Sequence, residues 1–436
     1  MSKSTRINHY VPALIQRRFG KKINVYDLKN GTLCVKDPKK AFCIRGLYED
    51  AIEDLLNFNA ESKVAKLLFN KIIDAENEIR LSRQEIILLK KFFAIEQLRT
   101  LDTIEYMKAE REYFEHMSPQ DLYFLGYAPN ETRNLSDEDY LAQTLKSILE
   151  YDGFSEEDFR SWLYKSTTTL VAQKWMKIYN SCYIAVWDSK KSGEDFIITD
   201  EGMTCEHDPS KFSPLNPIGK ELLKPGFLLS ICQGSNYDDA QKSSAFIFAL
   251  NGNSVEANFY LFSLTATRTI VLVDPFFRLY DPSDPSRIQD RLPEPDFWPS
   301  AFYDRQLVEK NKVIYEDQDK ANQHIFSLKD EYIYKIHDMQ LEDVLYYNVL
   351  TLDRVDAQMG FGDGNKIARS LATYLALSNP RNDYQGLKNE LEKCDVKIPP
   401  SQKYEQTARY YAERPVQETL KNWKYAELAL KLSQKG

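Results

Sequence analysis

Cys182-Tyr183-Ile184-Ala185-Val186-Trp187 is the stretch on which the fold turns. It is apolar and aromatic throughout, it holds β-branched Ile184 and Val186, and its six residues suit a strand better than a helix. It follows a long region of helical periodicity, so reading it as a strand makes the chain α+β.

Downstream, Phe196–Asp200 reads as a second strand, joined to the first in a hairpin through a polar Asp188–Glu194 turn containing Gly193. Phe227–Ile231 reads as a third, Ser254–Leu264 as a helical stretch, and Thr269–Val273 as a last strand. Upstream, residues 48–180 are mainly helical. Ile52, Leu55, Leu56, Val64, Leu67, Leu68 and Ile72 give a half-buried helix from Tyr48 to about Ile73. Ser82-Arg83-Gln84-Glu85 is a capping box opening a helix predicted to run to about His116, with Glu96 and Arg99 on one face. Ser136 and Ser155, each followed by acidic residues, open two more. Ile23–Tyr26 and Thr32–Val35 form a hairpin, with Asn30-Gly31 as a type I′ turn signal.

Six of the eighteen prolines fall in residues 274–300, which forbids a continuous helix or central strand there. The expected organisation is therefore a core over 1–275 (hairpin, helices 48–180, mainly antiparallel sheet 182–273), a Pro-rich linker over 276–300 and a mostly α-helical region over 301–436. In that last region Pro399-Pro400 breaks one helix and Pro415 suits the first turn of the last.

With 43% hydrophobic and 13% aromatic residues among 436, the chain has enough apolar material for a filled core. No window approaches the roughly 20 apolar residues of a bilayer span, and the N-terminus is polar and basic, so the expectation is a cytoplasmic protein without membrane contact. The six cysteines are scattered with no Cys-x-x-Cys pair, and Cys205 with His207 makes only half a metal site, so no zinc site is expected. The net charge of −8 argues against non-specific nucleic-acid binding by the whole surface, but its distribution is uneven. Residues 1–46 hold eleven Lys and Arg against Asp27 and Asp37, a net of +9, which leaves −17 for the rest. This points to an anionic ligand near the N-terminus, nucleic acid or a nucleotide; the other reading is a basic surface docked on an acidic body.

Within that segment Asn8-His9-Tyr10-Val11-Pro12 precedes Arg17, Arg18 and Phe19. These residues resemble an uncharacterised bacterial family, known only as a domain of unknown function, whose mark is Asn-His-Tyr-Val-Pro followed by Arg-x-Phe. The resemblance covers about residues 5–275. It continues through the hairpin at Tyr26, Tyr48, Glu61, Arg99-Thr100, Thr199-Asp200, Ser213-Pro214, Asn258 and Arg268. The family often has Gln at the place of Glu96 and a Pro soon after the Thr-Asp, where this chain has Glu201-Gly202-Met203. The resemblance implies membership without an activity, and some relatives look like accessory genes of conflict with phages.

His9, Tyr10, Arg17, Glu61, Glu96, Arg99 and Asp200 form the composite candidate site. A histidine serves as acid or base near neutral pH, and arginines hold phosphate bidentately. The resulting expectation is a bacterial effector, in phage defence, acting on nucleic acid or a nucleotide by phosphodiester or phosphoryl chemistry, its cofactor unknown, with a divalent metal possible and no zinc or nucleotide-cofactor motif. Against it stands a non-enzymatic sensor or interaction protein. There Glu61, Glu96 and Arg99 form a buried network pinning the motif, and 301–436 meets a protein partner.

Weaker signals have blander readings. Arg111 and His116 have the Arg-x4-His spacing of helical, metal-independent ribonucleases, but a solvated helix end fits them. Phe361-Gly362-Asp363-Gly364-Asn365-Lys366 resembles the phosphate-binding core of Fic nucleotidyl-transferases, with Met359 and Ile367 at the catalytic histidine and following arginine, so a glycine-rich helix start capped by Asp363 is preferred. Glu61-Ser62-Lys63 resembles a restriction-type nuclease triplet but falls on a helix, and Asp281–Asp284 reads as turn chemistry.

Overall fold

The computed structural model describes residues 7–46, 50–100, 103–116, 118–119, 122, 127–128, 131–152, 156–207, 258–273, 312–323, 325–377 and 419–434. Tyr48, Ser155, Ser213-Pro214, the Phe227–Ile231 strand, the Pro-rich segment, Asp281–Asp284, Pro399-Pro400, Pro415, Cys232 and Cys394 lie outside the described residues.

The chain opens with β1 (Ile7–His9), the short α1 (Ala13–Gln16), the hairpin β2 (Ile23–Asp27) and β3 (Thr32–Lys36), and β4 (Cys43–Arg45), which pairs antiparallel with β1. The hairpin forms as the alternation predicts, but its turn is not type I′. The register pairs Asp27 with Thr32, leaving four loop residues. Gly31 takes φ of 62° while Asn30 does not turn positive, because its N–H donates to the Asp27 carboxylate at 2.9 Å.

Next come α2 (Asp50–Leu56) and α3 (Ser62–Leu67), each followed by a π-turn, Asn57–Glu61 and Leu68–Ile72. The junction residues keep right-handed dihedrals, so this is one rod. Its buried residues Ile52, Leu56, Ala60, Val64, Leu68 and Ile72 repeat every four positions. On an α-helix a four-residue step drifts about 40° from the 3.6-residue turn, and a widened π-turn takes up the drift and keeps the row against the core.

β5 (Glu78–Ser82) leads into α4 (Arg83–Gln97) through the predicted Ser82–Glu85 capping box. The helix expected to reach His116 stops at Gln97 and resumes as α5 (Thr103–Glu115), so Arg99 lies beyond a helix end and not on a helical face. Then follow α6 (Asp137–Glu150), α7 (Glu156–Leu163), α8 (Leu170–Ser181), β6 (Tyr183–Asp188), β7 (Ile198–Thr199), β8 (Thr204–His207), β9 (Asn258–Ser263) and β10 (Arg268–Val273). The chain closes with β11 (Lys312–Ile314), α9 (Gln318–Asn322), β12 (Glu331–Asp338), α10 (Leu341–Arg354), β13 (Gln358–Phe361), α11 (Ala368–Leu377) and α12 (Thr419–Ser433).

Two local expectations are corrected. Residues 258–263 are a strand where a helical stretch was read. β6 and the 196–200 segment do not form a hairpin, since β7 pairs with β13 in another sheet. The described part of residues 301–436 is mostly helical, as expected, and also supplies β11, β12 and β13.

The main sheet has seven strands. β12, β6, β10, β9 and β8 are successive neighbours, and β12 also pairs with β5 and β11 along its first half. All pairings are antiparallel except β12 with β6. A second, antiparallel sheet has the order β3-β2-β13-β7. The large sheet separates two cores. Ile184, Val186, Tyr260, Phe262, Ile270 and Leu272 face the layer of α2–α8. Their alternates Ala185, Trp187, Phe259, Leu261, Val271 and Val273 face α10–α12 and the small sheet. Full burial of each large side chain contributes roughly 1.5–3 kcal/mol, so both faces of these strands are anchored. No helix among the described residues is long and apolar enough to cross a membrane.

Candidate functional site

The Asn8–Pro12 motif is fastened before it can act. Tyr10 N–H donates to the Phe42 carbonyl at 3.1 Å, and the Tyr10 ring meets Phe42 edge-on with centroids 6.0 Å apart. Phe42 sits at φ 45°, a left-handed conformation that a bulky residue holds only when its surroundings impose it. Gln16 reaches back from α1, donating to the Val11 carbonyl at 2.6 Å and the Ala41 carbonyl at 3.1 Å. Asn8, fully buried, donates to Glu53 at 3.2 Å.

Arg99 is the hub. Its guanidinium donates to the main-chain carbonyl of His9 at 2.6 Å, to Glu61 at 2.5 Å and to Glu96 at 3.2 Å, and the residue is 1% exposed. Burial pushes the Glu96 carboxyl up to about 8, against the pull of Arg99. Glu61 closes the first π-turn, and its side chain is 17% exposed. The rod, α4 and β1 therefore meet at one ion-pair cluster. Sequence reasoning missed Glu53, although Glu53, Asn57 and Glu61 share the four-residue repeat, and Asn57 donates to Glu53 at 3.3 Å.

His9 is half-buried, with Nε2 3.2 Å from the Lys39 carbonyl. A carbonyl only accepts, so Nε2 carries the hydrogen and Nδ1 the lone pair. Burial lowers its pKa from the ordinary 6.5, with Arg99 adding to the effect and Glu53 and Glu61 opposing it. The imidazole is thus uncharged at neutral pH and able to accept a proton.

Around it lie exposed cations. Lys39 and Lys40 are on the 3-10 turn (Pro38–Lys40) that His9 touches, Arg45 is on β4 beside β1, and Arg17 ends α1. None of these, nor Lys21 or Lys22, is paired with a carboxylate among the described residues. In the same segment Lys29 meets an acid of the later chain, Asp356 at 3.9 Å.

The structure thus joins His9, Glu61, Glu96 and Arg99 in one ion-pair cluster, while Tyr10 and Asp200 lie near one another and take other partners. Arg17 belongs to the exposed basic rim. The Asp200 carboxylate accepts main-chain N–H groups from Asp356 (3.3 Å), Ala357 (2.5 Å) and Gln358 (2.9 Å), tying the 196–200 segment to the start of β13. Burial still holds it above the usual carboxylate range. The Tyr10 hydroxyl donates to Gln358 at 3.4 Å, and burial, aided by Asp200, raises its pKa. Tyr10 and Asp200 are joints of the scaffold.

The weaker motifs take their bland readings. Arg111 is held by Glu115 (2.8 Å), the Leu135 carbonyl (2.9 Å) and Asp137 (3.4 Å), and His116 is exposed just past α5. Asp363 caps the 3-10 turn Gly364–Lys366 through the Asn365 N–H at 2.9 Å. Lys63 is on α3, in the rod and not on a strand. Among the described residues no three His, Cys, Asp or Glu side chains are grouped to hold a metal ion. Cys34, Cys43, Cys182 and Cys205 are free thiols.

A family model described as "Protein of unknown function (DUF4238)" matches residues 8–275. No curated protein and no solved structure matches the chain.

Proposed function

Taking as premise that the chain belongs to the DUF4238 family, whose function is unknown, we propose that it binds nucleic acid through the phosphates at its basic N-terminal lobe and acts on the phosphodiester with His9 as proton carrier. The observation that supports this reading is the exposed set Arg17, Lys21, Lys22, Lys39, Lys40 and Arg45, without carboxylate partners among the described residues, in the same N-terminal segment as a half-buried imidazole that touches Lys39. Phosphate binding by such cations is sequence-independent and salt-sensitive.

In the chemistry proposed, a hydroxyl oxygen attacks phosphorus while His9 takes its proton, the P–O bond to the leaving oxygen breaks, that oxygen takes up a proton from the His9 imidazolium or from water, and the exposed lysines and arginines meet the charge that develops on the phosphoryl oxygens. Arg99 has no part in contacting phosphate, because it is buried and its donors are engaged. It is a positioning residue that holds His9 through the main chain. The wider setting, a cytoplasmic bacterial effector in phage defence, rests on the motif resemblance alone.

The second reading, a non-enzymatic sensor or interaction module with a structural motif, is favoured by the Arg99 network, which is what a clasp requires. Cleavage of plasmid DNA and total RNA, with and without magnesium, separates the two. The enzyme reading expects cleavage by wild type and its loss in His9→Ala at unchanged melting temperature. Absence of cleavage by either protein, with a large fall in melting for His9→Ala, gives the motif to the clasp.

A further inference from the structure

On another face, α3 and its π-turn, α4, the end of α6 and Leu328 enclose an open groove of about 500 Å³. That is within the roughly 300–1,000 Å³ of small-molecule sites. Leu67, Leu88, Leu149 and Tyr151 form its apolar wall, and Lys63, Lys66, Lys71 and Lys91 its rim.

The acids of this groove engage Lys71 and Lys91 and leave the other two rim lysines. Glu85 is 2.7 Å from Lys71 and also accepts the Ser82 N–H in the capping box of α4. Lys91 is half-buried and donates to the main-chain carbonyls of Leu149, at 2.7 Å, and Tyr151. Lys63 and Lys66, exposed and three residues apart on α3, have no carboxylate partner among the described residues. Lys91 is held down at about 8 by burial, with Asp152 raising it and the charge of Lys63 lowering it. An anion between them relieves that repulsion, and Asn70 and Gln84 add uncharged hydrogen-bonding groups.

We propose that this groove binds a nucleoside phosphate, its phosphates on Lys63 and Lys66 and its ring against the half-exposed Leu88 and Leu149. The apolar wall fits a base, which pyrophosphate lacks. The site is separate from the His9 lobe and stands whether or not that lobe binds nucleic acid.

The test is calorimetric titration of the full chain with ATP and with pyrophosphate, on wild type, K63E/K66E and K39E/K40E. The site predicts saturable ATP binding by wild type, a loss of at least about tenfold, or roughly 1.4 kcal/mol, in K63E/K66E, and none in K39E/K40E. Pyrophosphate is expected to bind at least about tenfold more weakly than ATP. The proposal is overturned if wild type shows no saturable ATP binding, if K63E/K66E binds ATP as wild type does, if K39E/K40E weakens it equally, or if pyrophosphate matches ATP. Both charge reversals sit on exposed side chains, and unchanged melting confirms that affinity alone is being read.

Discussion

Arg99 carries its charge where water does not reach, and two glutamates and one carbonyl hold it there. Removing it leaves the Glu61 carboxylate without its cation and the His9 carbonyl without its donor. Arg99→Ala is therefore expected to cost about 3–5 kcal/mol of stability, measured by denaturant unfolding, and Arg99→Lys to recover only part, since an ammonium cannot make all three contacts at once. Glu96 gives the protein a pH signature. Its folded-state pKa lies above the ordinary 4.5, at about 8, so between these values the folded chain binds more protons than the unfolded one. That contribution to stability is complete below pH 4.5 and is lost as pH rises through 8; Glu96→Gln flattens the slope in a series of melts across this window. His9 shifts the other way, and its imidazole is expected to titrate below 6.5 by NMR. The grouping of Glu61, Glu96 and Arg99 could be read from the residues of the motif resemblance, although the shared helical face expected for the last two is absent because the helix ends at Gln97. The separate places of Arg17 and Asp200 could not, because they depend on where α1 ends and on amides of residues 356–358.

The rod from Asp50 to Ile72 shows what an element can conceal. Its four-residue repeat is visible in the sequence, yet with a 3.6-residue turn assumed it reads only as a rather wide helical face. The π-turns that the repeat demands place Glu53 and Glu61 on one side and the free lysines on another. Arg268 fixes the far end of the rod, donating to the carbonyls of Ile72 (2.9 Å) and Ala75 (2.8 Å) while paired with Asp188 at 2.6 Å. Arg268→Ala is expected to lower stability by about 3–5 kcal/mol, checked by thermal unfolding, because Asp188 and both carbonyls lose their donor. The Ser82–Glu85 capping box was legible outright, and Ser82→Ala is expected to cost about 1 kcal/mol in the same assay. The break after Gln97 had no glycine or proline to announce it. β9 was misread because burial on both faces erased the alternation that marks a strand.

At the scale of the whole molecule, strands far apart in sequence complete one another. β12 runs between β6 and β11, and β13 lies between β2 and β7. A fragment ending at residue 275 loses both strands and uncovers Trp187, Phe259 and Val271. It is expected to show no cooperative melting by circular dichroism. Long-range pairing of this kind is not legible in local periodicity, whereas the charge partition is, and the structure leaves the N-terminal cations facing solvent. The most direct measurement is a fluorescence-anisotropy titration of a labelled single strand of about 20 nucleotides on wild type and K39E/K40E over a range of salt. Binding that weakens steeply with salt, and by about tenfold in K39E/K40E at fixed salt, is the predicted result. Absence of binding at low salt, or equal affinity of the two proteins, contradicts it.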